Sequence, residues 1–191
     1  MSVLPEVATD HFFNPRNVGD ADEPSFVGRA ASLLCGAHVR FSIQVDENHV
    51  VSQAKFKAVG CSVLVASLSL LTESVLNVPT VDAAITGQNP EALKSVIANA
   101  ESEREHCLQL ACDALLAAIR EYSDAARDEW SGDEALICTC FFVSERTIER
   151  EIVARGLTSV AEVTRACNAG GGCGSCHQLI QEILETQHDL S

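Results

Sequence analysis

Nine cysteines in 191 residues are the chemistry-bearing feature of this chain, and their spacing sorts them. Cys138 and Cys140 form a CxC pair, Cys173 and Cys176 a CxxC pair, and 32 residues lie between the two. Two close thiol pairs supply the four thiolates that an iron-sulfur cluster or a tetrahedral zinc ion needs. Gly170-Gly171-Gly172 and Gly174 flank the second pair. They let backbone amides approach sulfur, while a helix expected from about Ser175 points its positive end at an anionic centre. Four unliganded buried cysteines would not need such spacing. A zinc ribbon usually presents two CxxC knuckles, so CxC on one side favours iron and sulfide while zinc stays open.

Cys35, Cys61 and Cys107 lie far apart in sequence, but each falls where the expected elements turn. Cys35 precedes the first expected strand, and Cys61 and Cys107 each start a helix. A helix N-terminus favours thiolate, the form that binds iron or attacks a sulfur donor. His106 beside Cys107 can add an imidazole ligand or a proton. From the residues alone, three small core cysteines explain these positions equally well. Cys112, on a different helical face from Cys107, and Cys167 are expected to be packing residues. His11, His38, His49, His177 and His188 show no paired spacing, and Lys55 and Lys57 are expected to solvate a strand face.

The elements that must hold these residues follow from periodicity. Leu4, Val7, Ala8 and Phe12 recur at helical spacing before Asn14-Pro15-Arg16-Asn17-Val18-Gly19 breaks the pattern. Val39, Phe41, Ile43 and Val45 alternate with polar residues, as do Ala54, Phe56 and Ala58 with Lys55 and Lys57, which predicts an antiparallel hairpin. Ser62 to Val78 reads as a buried helix, Asn89-Pro90 as the start of another containing Leu93, Val96 and Ile97, and Cys107 to Ala126 as a third. Residues 1–127 are therefore expected to form an α+β domain and the polar stretch 128–134 a linker. Residues 135–191 are expected to form a small all-α unit. In it Ser144 caps a helix ending at Gly156, Ser159 and Glu162 make a capping box, and Leu179, Ile180, Ile183 and Leu184 mark the last helix. A unit of ~57 residues is near the lower limit for an unaided core, so a bound metal centre would help it fold.

A formal net charge of -14 argues against nucleic acid or an anionic membrane as partner. The start of the sequence carries no cationic run followed by an apolar block, and no apolar stretch reaches the ~20 residues of a membrane span, so a cytoplasmic protein is expected. Cytosolic thiols stay reduced, which turns nine cysteines toward metal or redox chemistry. No GxSxG, Walker loop, dinucleotide fingerprint or HExxH occurs, so an ordinary enzyme is not expected.

Cys138-Thr-Cys140-Phe-Phe-Val-Ser144 followed by Gly-Gly-Gly172-Cys173-Gly-Ser-Cys176-His resembles the bacterioferritin-associated ferredoxin type of [2Fe-2S] domain over about 135–188. The resemblance implies that Cys138, Cys140, Cys173 and Cys176 hold a permanent, redox-active [2Fe-2S] cluster. Asn14-Pro-Arg-Asn-Val-Gly19, Cys35-Gly36, Phe56-Lys-Ala-Val-Gly-Cys61 and His106-Cys107, in that order, are similar to the IscU/NifU scaffold domain over residues 3–126. That likeness implies a transient [2Fe-2S] cluster on Cys35, Cys61 and Cys107, built from ferrous iron and sulfur delivered by a cysteine desulfurase and passed to apo iron-sulfur proteins. Cys107 would accept the persulfide, and His106 would be a ligand when iron or zinc occupies the site. An electron donor and a homodimer belong to the same expectation.

The chain departs from this family in three places. Ala37 stands where the family has an aspartate two residues after the first cysteine, which predicts slower cluster release. The Leu-Pro-Pro-Val-Lys chaperone-docking stretch is replaced by Ala100-Glu-Ser-Glu-Arg-Glu105. The sequence ends at Ser191 without a further CxxC domain, so one transient site is expected. Two other readings stay open: a ferredoxin-like electron-transfer partner with a degenerate scaffold domain, and a zinc-binding adaptor.

Overall fold

The computed structural model describes residues 5–23, 25–90, 93, 105–129 and 134–189. The helix expected after Asn89-Pro90 lies outside them apart from its first residues and Leu93. So do 100–104, ahead of His106, and 130–133 of the expected linker.

The alternating apolar residues of the hairpin do form strands. β1 (Phe26–Ala31), β2 (His38–Val45) and β3 (Val51–Val59) make an antiparallel sheet in the order β1-β2-β3. Phe41 faces Phe56 across β2 and β3, and both are buried with Ile43 and Ala54 on the face toward the helices. Each such large side chain contributes about 1.5–3 kcal/mol by leaving water. On the other face Arg40 and Lys57 sit opposite each other, an arrangement that repels. Asp20 offsets it, binding Arg40 Nε at 2.8 Å and Lys57 Nζ at 2.5 Å, and the two cations hold its carboxyl below the usual range.

Strand β1 was not expected from the sequence, and with it Cys35 lies in the turn between β1 and β2 rather than ahead of the sheet. Phe26-Val27-Gly28-Arg29-Ala30-Ala31 lacks a clean alternation, because its middle packs on a helix through backbone alone. The helices are α1 (Glu6–Phe13), α2 (Ser62–Val75), α3 (Thr80–Gln88) and α4 (Glu105–Glu129). α4 crosses β1 so closely that a Cβ on Gly28 would collide with the Ala114 carbonyl oxygen and the Ala118 amide. α2 lies against α1, α4 and β3, with Val63, Leu64, Leu68 and Leu71 fully buried.

The Asn14–Gly19 loop stitches α1 to α2 and the sheet edge. The Arg16 amide donates to Ser69 Oγ at 2.9 Å, Asn17 Nδ2 to Thr72 Oγ1 at 3.1 Å, and the Gly19 amide to the Phe56 carbonyl at 2.8 Å. His11, buried beneath it, bonds Ser69 Oγ at 2.8 Å, and burial lowers its pKa.

The second unit holds β4 (Leu136–Cys138), β5 (Val143–Ser144), α5 (Glu145–Arg155), α6 (Val160–Cys167) and α7 (His177–Asp189). Its helices start and stop where the sequence placed them. Ser144 accepts from the Thr147 amide, Gly156 ends α5 in the left-handed region at φ 63, and Ser159 with Glu162 forms the capping box. The two-stranded ribbon β4–β5 is the one addition to an otherwise helical unit, and it folds the CxC motif back on itself. Ile148, Val163, Ile180 and Leu184 fill a small core that also takes in Cys138, Cys167 and Cys176.

Replacing Gly28 with alanine forces α4 off the sheet. Gly28→Ala is expected to cost about 1–3 kcal/mol, the usual penalty of overpacking, and denaturant unfolding of the full chain measures it. An unchanged midpoint would show that α4 does not depend on this contact.

Candidate metal centres

Three elements deliver the first thiol set. The β1–β2 turn carries Cys35, Cys61 is the residue at the N-cap of α2, and His106 and Cys107 open the described part of α4. Two of the thiols meet directly. Cys61 Sγ lies 3.2 Å from Cys107 Sγ, and His106 Nε2 lies 3.5 Å from Cys107 Sγ. Cys35 joins through hydrogen bonds from the Ser32 hydroxyl, the Ala37 amide and the His106 ring, which lower its thiol to about 7. Sequence reasoning missed Ser32. Its signal was present, a hydroxyl three residues before a cysteine in a glycine-containing turn, where Gly36 takes φ 69. Cys35 is exposed, Cys61 half-buried and Cys107 buried, and Leu33 and Leu34 stand fully in solvent beside them.

The second set gathers around the β4–β5 ribbon and the glycine loop before α7. Its thiols meet in two pairs. Cys140 Sγ lies 3.4 Å from Cys173 Sγ, and Cys176 bonds Cys138. The Cys173 thiol is lowered to about 7 by the Ser175 hydroxyl and amide, followed by Cys140. Cys140 moves up: the pull of the Cys173 backbone is outweighed by burial and by the neighbouring thiol. Burial, then Cys138, pushes Cys176 up to about 11. Among the described residues no three His, Cys, Asp or Glu side chains form a group arranged for one metal ion.

The glycines earn their place by contact. A Cβ on Gly172 would stand 2.9 Å from Cys140 Sγ, and His177 Nε2 bonds the Gly170 carbonyl at 2.8 Å to hold the loop. His177, a histidine without paired spacing in the sequence, thus shapes the loop between the thiols. Lys57 is engaged with Asp20. Cys112 and Cys167 are buried, burial raises both thiols to about 11, and both pack as expected.

Helix α4 separates the two sets. Cys107 stands at one end, and near the other Ser123 donates to the Cys140 carbonyl at 2.5 Å. The sixteen residue steps from Cys107 to Ser123 span ~24 Å at ~1.5 Å per residue.

Two family models match the chain. The family described as NifU-like N terminal domain matches residues 4–128, and that described as BFD-like [2Fe-2S] binding domain matches residues 136–186. The nitrogen fixation protein NifU of Azospirillum brasilense is 33% identical over 178 residues, covering 92% of this chain and 57% of that protein. The iron-sulfur cluster assembly scaffold protein IscU of Azotobacter vinelandii is 38% identical over 116 residues, 59% of this chain and 88% of that protein. The crystal structure of the N-terminal part of a nitrogen-fixing NifU-like protein from Brucella abortus shares the fold, with TM-score 0.54 and 18% identity over 64% of this chain and 95% of that one. This chain therefore spans 57–60% of the length of such NifU relatives. No helix among the described residues is long and apolar enough to cross a membrane.

In the metal-free protein a thiol with a lowered pKa is deprotonated, and so alkylated, at lower pH. Cys35 and Cys173 are expected to react with iodoacetamide with a midpoint near pH 7, while Cys112 and Cys167 stay unmodified below pH 9 until the chain unfolds. Site-resolved mass spectrometry across pH 6–9 checks this order, and equal rates at all four thiols would contradict it.

Proposed function

The chain belongs to the NifU-like N-terminal domain family, and from that premise we propose that it is an iron-sulfur cluster assembly scaffold. On this reading it builds a transient [2Fe-2S] cluster on Cys35, Cys61 and Cys107 and holds a permanent one on Cys138, Cys140, Cys173 and Cys176. The observation that carries the proposal is the convergence of three sequence-distant thiols and the His106 ring at one solvent-reaching end of the first domain. Core packing alone would not bring together an exposed and a buried thiol with an imidazole between them.

The residues divide the work. Cys35 is exposed and held toward thiolate, so a donor's sulfur meets it first. Cys107, the persulfide acceptor by family likeness, lies deeper against Cys61, and His106 reaches both Cys35 and Cys107, placed to move a proton or take a site on iron. Leu33 and Leu34 offer an apolar lip that a cysteine desulfurase can cover while it delivers sulfur. Recipient apo iron-sulfur proteins would collect the finished cluster as cargo.

The second thiol set fits a [2Fe-2S] group through its donor chemistry: four thiols arranged two and two, one pair for each iron, around a glycine loop that leaves room for no side chain. Bound there, the group would supply one-electron redox chemistry. Cys138 and Cys176 anchor it in the small core, and the α7 N-terminus faces its negative charge.

Ala37 is only 2% exposed, packed in the core next to Gly60. An aspartate there would be a desolvated carboxylate in need of a cation, and iron is the nearest candidate. The alanine therefore favours slower release. Ala37→Asp is expected to shorten cluster retention in a transfer assay several-fold, and unchanged retention would refute its part in release.

Iron, sulfide and absorbance measurements test the two-site scheme. The wild-type chain should be reddish brown as purified and gain iron and sulfide on incubation with a cysteine desulfurase, cysteine and ferrous iron. Cys138→Ala with Cys140→Ala should remove the first colour and keep the second gain, and Cys35→Ala should do the reverse. Zinc in place of iron and sulfide, or a gain that survives Cys35→Ala, would overturn it.

A further inference from the structure

The loops that carry the second thiol set do not face solvent on all sides; the first domain covers them. Thr80, at the start of α3, donates its hydroxyl to Asn168 Oδ1 at 3.0 Å, and both residues are buried. Gly171 lies so tightly on Val81 that a Cβ would collide with the valine methyls. Ser123 on α4 donates to the Cys140 carbonyl, and one turn further on Arg127 lies 5.5 Å from the centre of the Phe142 ring. Phe142 itself holds φ 52, a backbone conformation that needs outside support in a residue with a bulky side chain. Between the two domains runs a cavity of about 440 Å³ bounded by Leu116, Arg120 and Ser123 of α4 on one side and Cys140, Phe141 and Cys173 on the other. Arg120 makes no ion pair among the described residues.

We propose that α4 of the scaffold domain completes the second cluster site, with Ser123 positioning the Cys140 loop and Arg120 setting the site's reduction potential. Reduction adds one negative charge to a group already made anionic by four thiolates. A cation across a shared cavity stabilises that added charge, and raises the potential, by more than it would across bulk water. Ser123 acts through the Cys140 carbonyl: its hydrogen bond draws electron density from the backbone next to a ligating sulfur and fixes the CxC turn against α4. The fusion of the two domains is then a functional requirement, since the part that receives electrons takes one wall of its site from the part that assembles cargo.

This inference rests on Cys138, Cys140, Cys173 and Cys176 holding a [2Fe-2S] cluster, and potentiometric titration of the full chain separates the two. If the wild type carries no iron and sulfide at that site, the underlying reading fails before any variant is made. If it does, Arg120→Gln is expected to leave about threefold less cluster reduced at a fixed solution potential, a shift of ~28 mV for one electron at 59 mV per decade. Arg120→Lys is expected to keep the wild-type value, and the Arg120→Gln shift to shrink as salt rises. Ser123→Ala is expected to shift in the same direction and to alter the visible circular dichroism of the cluster, with Ser123→Thr restoring both. Arg120 is exposed, so its variants retain the fold. A potential unchanged in both Arg120→Gln and Ser123→Ala, or an equal shift in Arg120→Gln and Arg120→Lys, overturns the proposal.

Discussion

Where β1 passes α4, backbone lies against backbone at Gly28, and that close approach fixes the path of a 25-residue helix across the molecule. Most of what matters chemically is strung along this helix. Its first turns carry His106 and Cys107, its middle fills the core with Leu108, Ala111, Leu115 and Ala118, and its last turns present Arg120, Ser123 and Arg127 to the second domain. A shift of α4 along its axis would open the gap between Cys107 and Cys61 and break the Ser123 bond to Cys140 at once. One packing contact therefore sets the geometry of two thiol sites.

The two sites treat their thiols differently, and environment is the reason. Cys35 and Cys173 are both exposed and both lowered to about 7, each by a serine hydroxyl and by backbone amides in a glycine-bearing turn. Cys107, Cys138 and Cys176 are buried, and burial raises Cys176 to about 11. Each site thus has an outer thiol held toward thiolate, and in the second site the buried Cys176 keeps its proton until a cation arrives. Such a gradient suits stepwise loading from solvent, because metal binding must displace protons from the inner sulfurs.

Much of this was legible beforehand. The hairpin of β2 and β3 follows from strict alternation, the helices of the second domain from Ser144, Gly156 and the Ser159–Glu162 box, and the packing roles of Cys112 and Cys167 from their isolated positions. Strand β1 was not legible, because Gly28 and the small residues around it owe their state to α4 rather than to local preference. Ser32, Ser123, Ser175 and His177 escaped for a similar cause. A hydroxyl or imidazole next to a sulfur looks like any other polar surface residue until the chain folds.

The sequence by itself determined that four thiols come as two close pairs within one small unit, through CxC and CxxC spacing, since residues two or three apart cannot be far from each other in space. Tertiary structure alone decided that Cys61 meets Cys107 with His106 linking Cys107 to Cys35, that the four sulfurs of the second domain divide two and two, and that the first domain walls in the second site. Those facts depend on contacts across tens of residues. Only the packing of α4 on the sheet, and of the second domain on α3 and α4, fixes such distances.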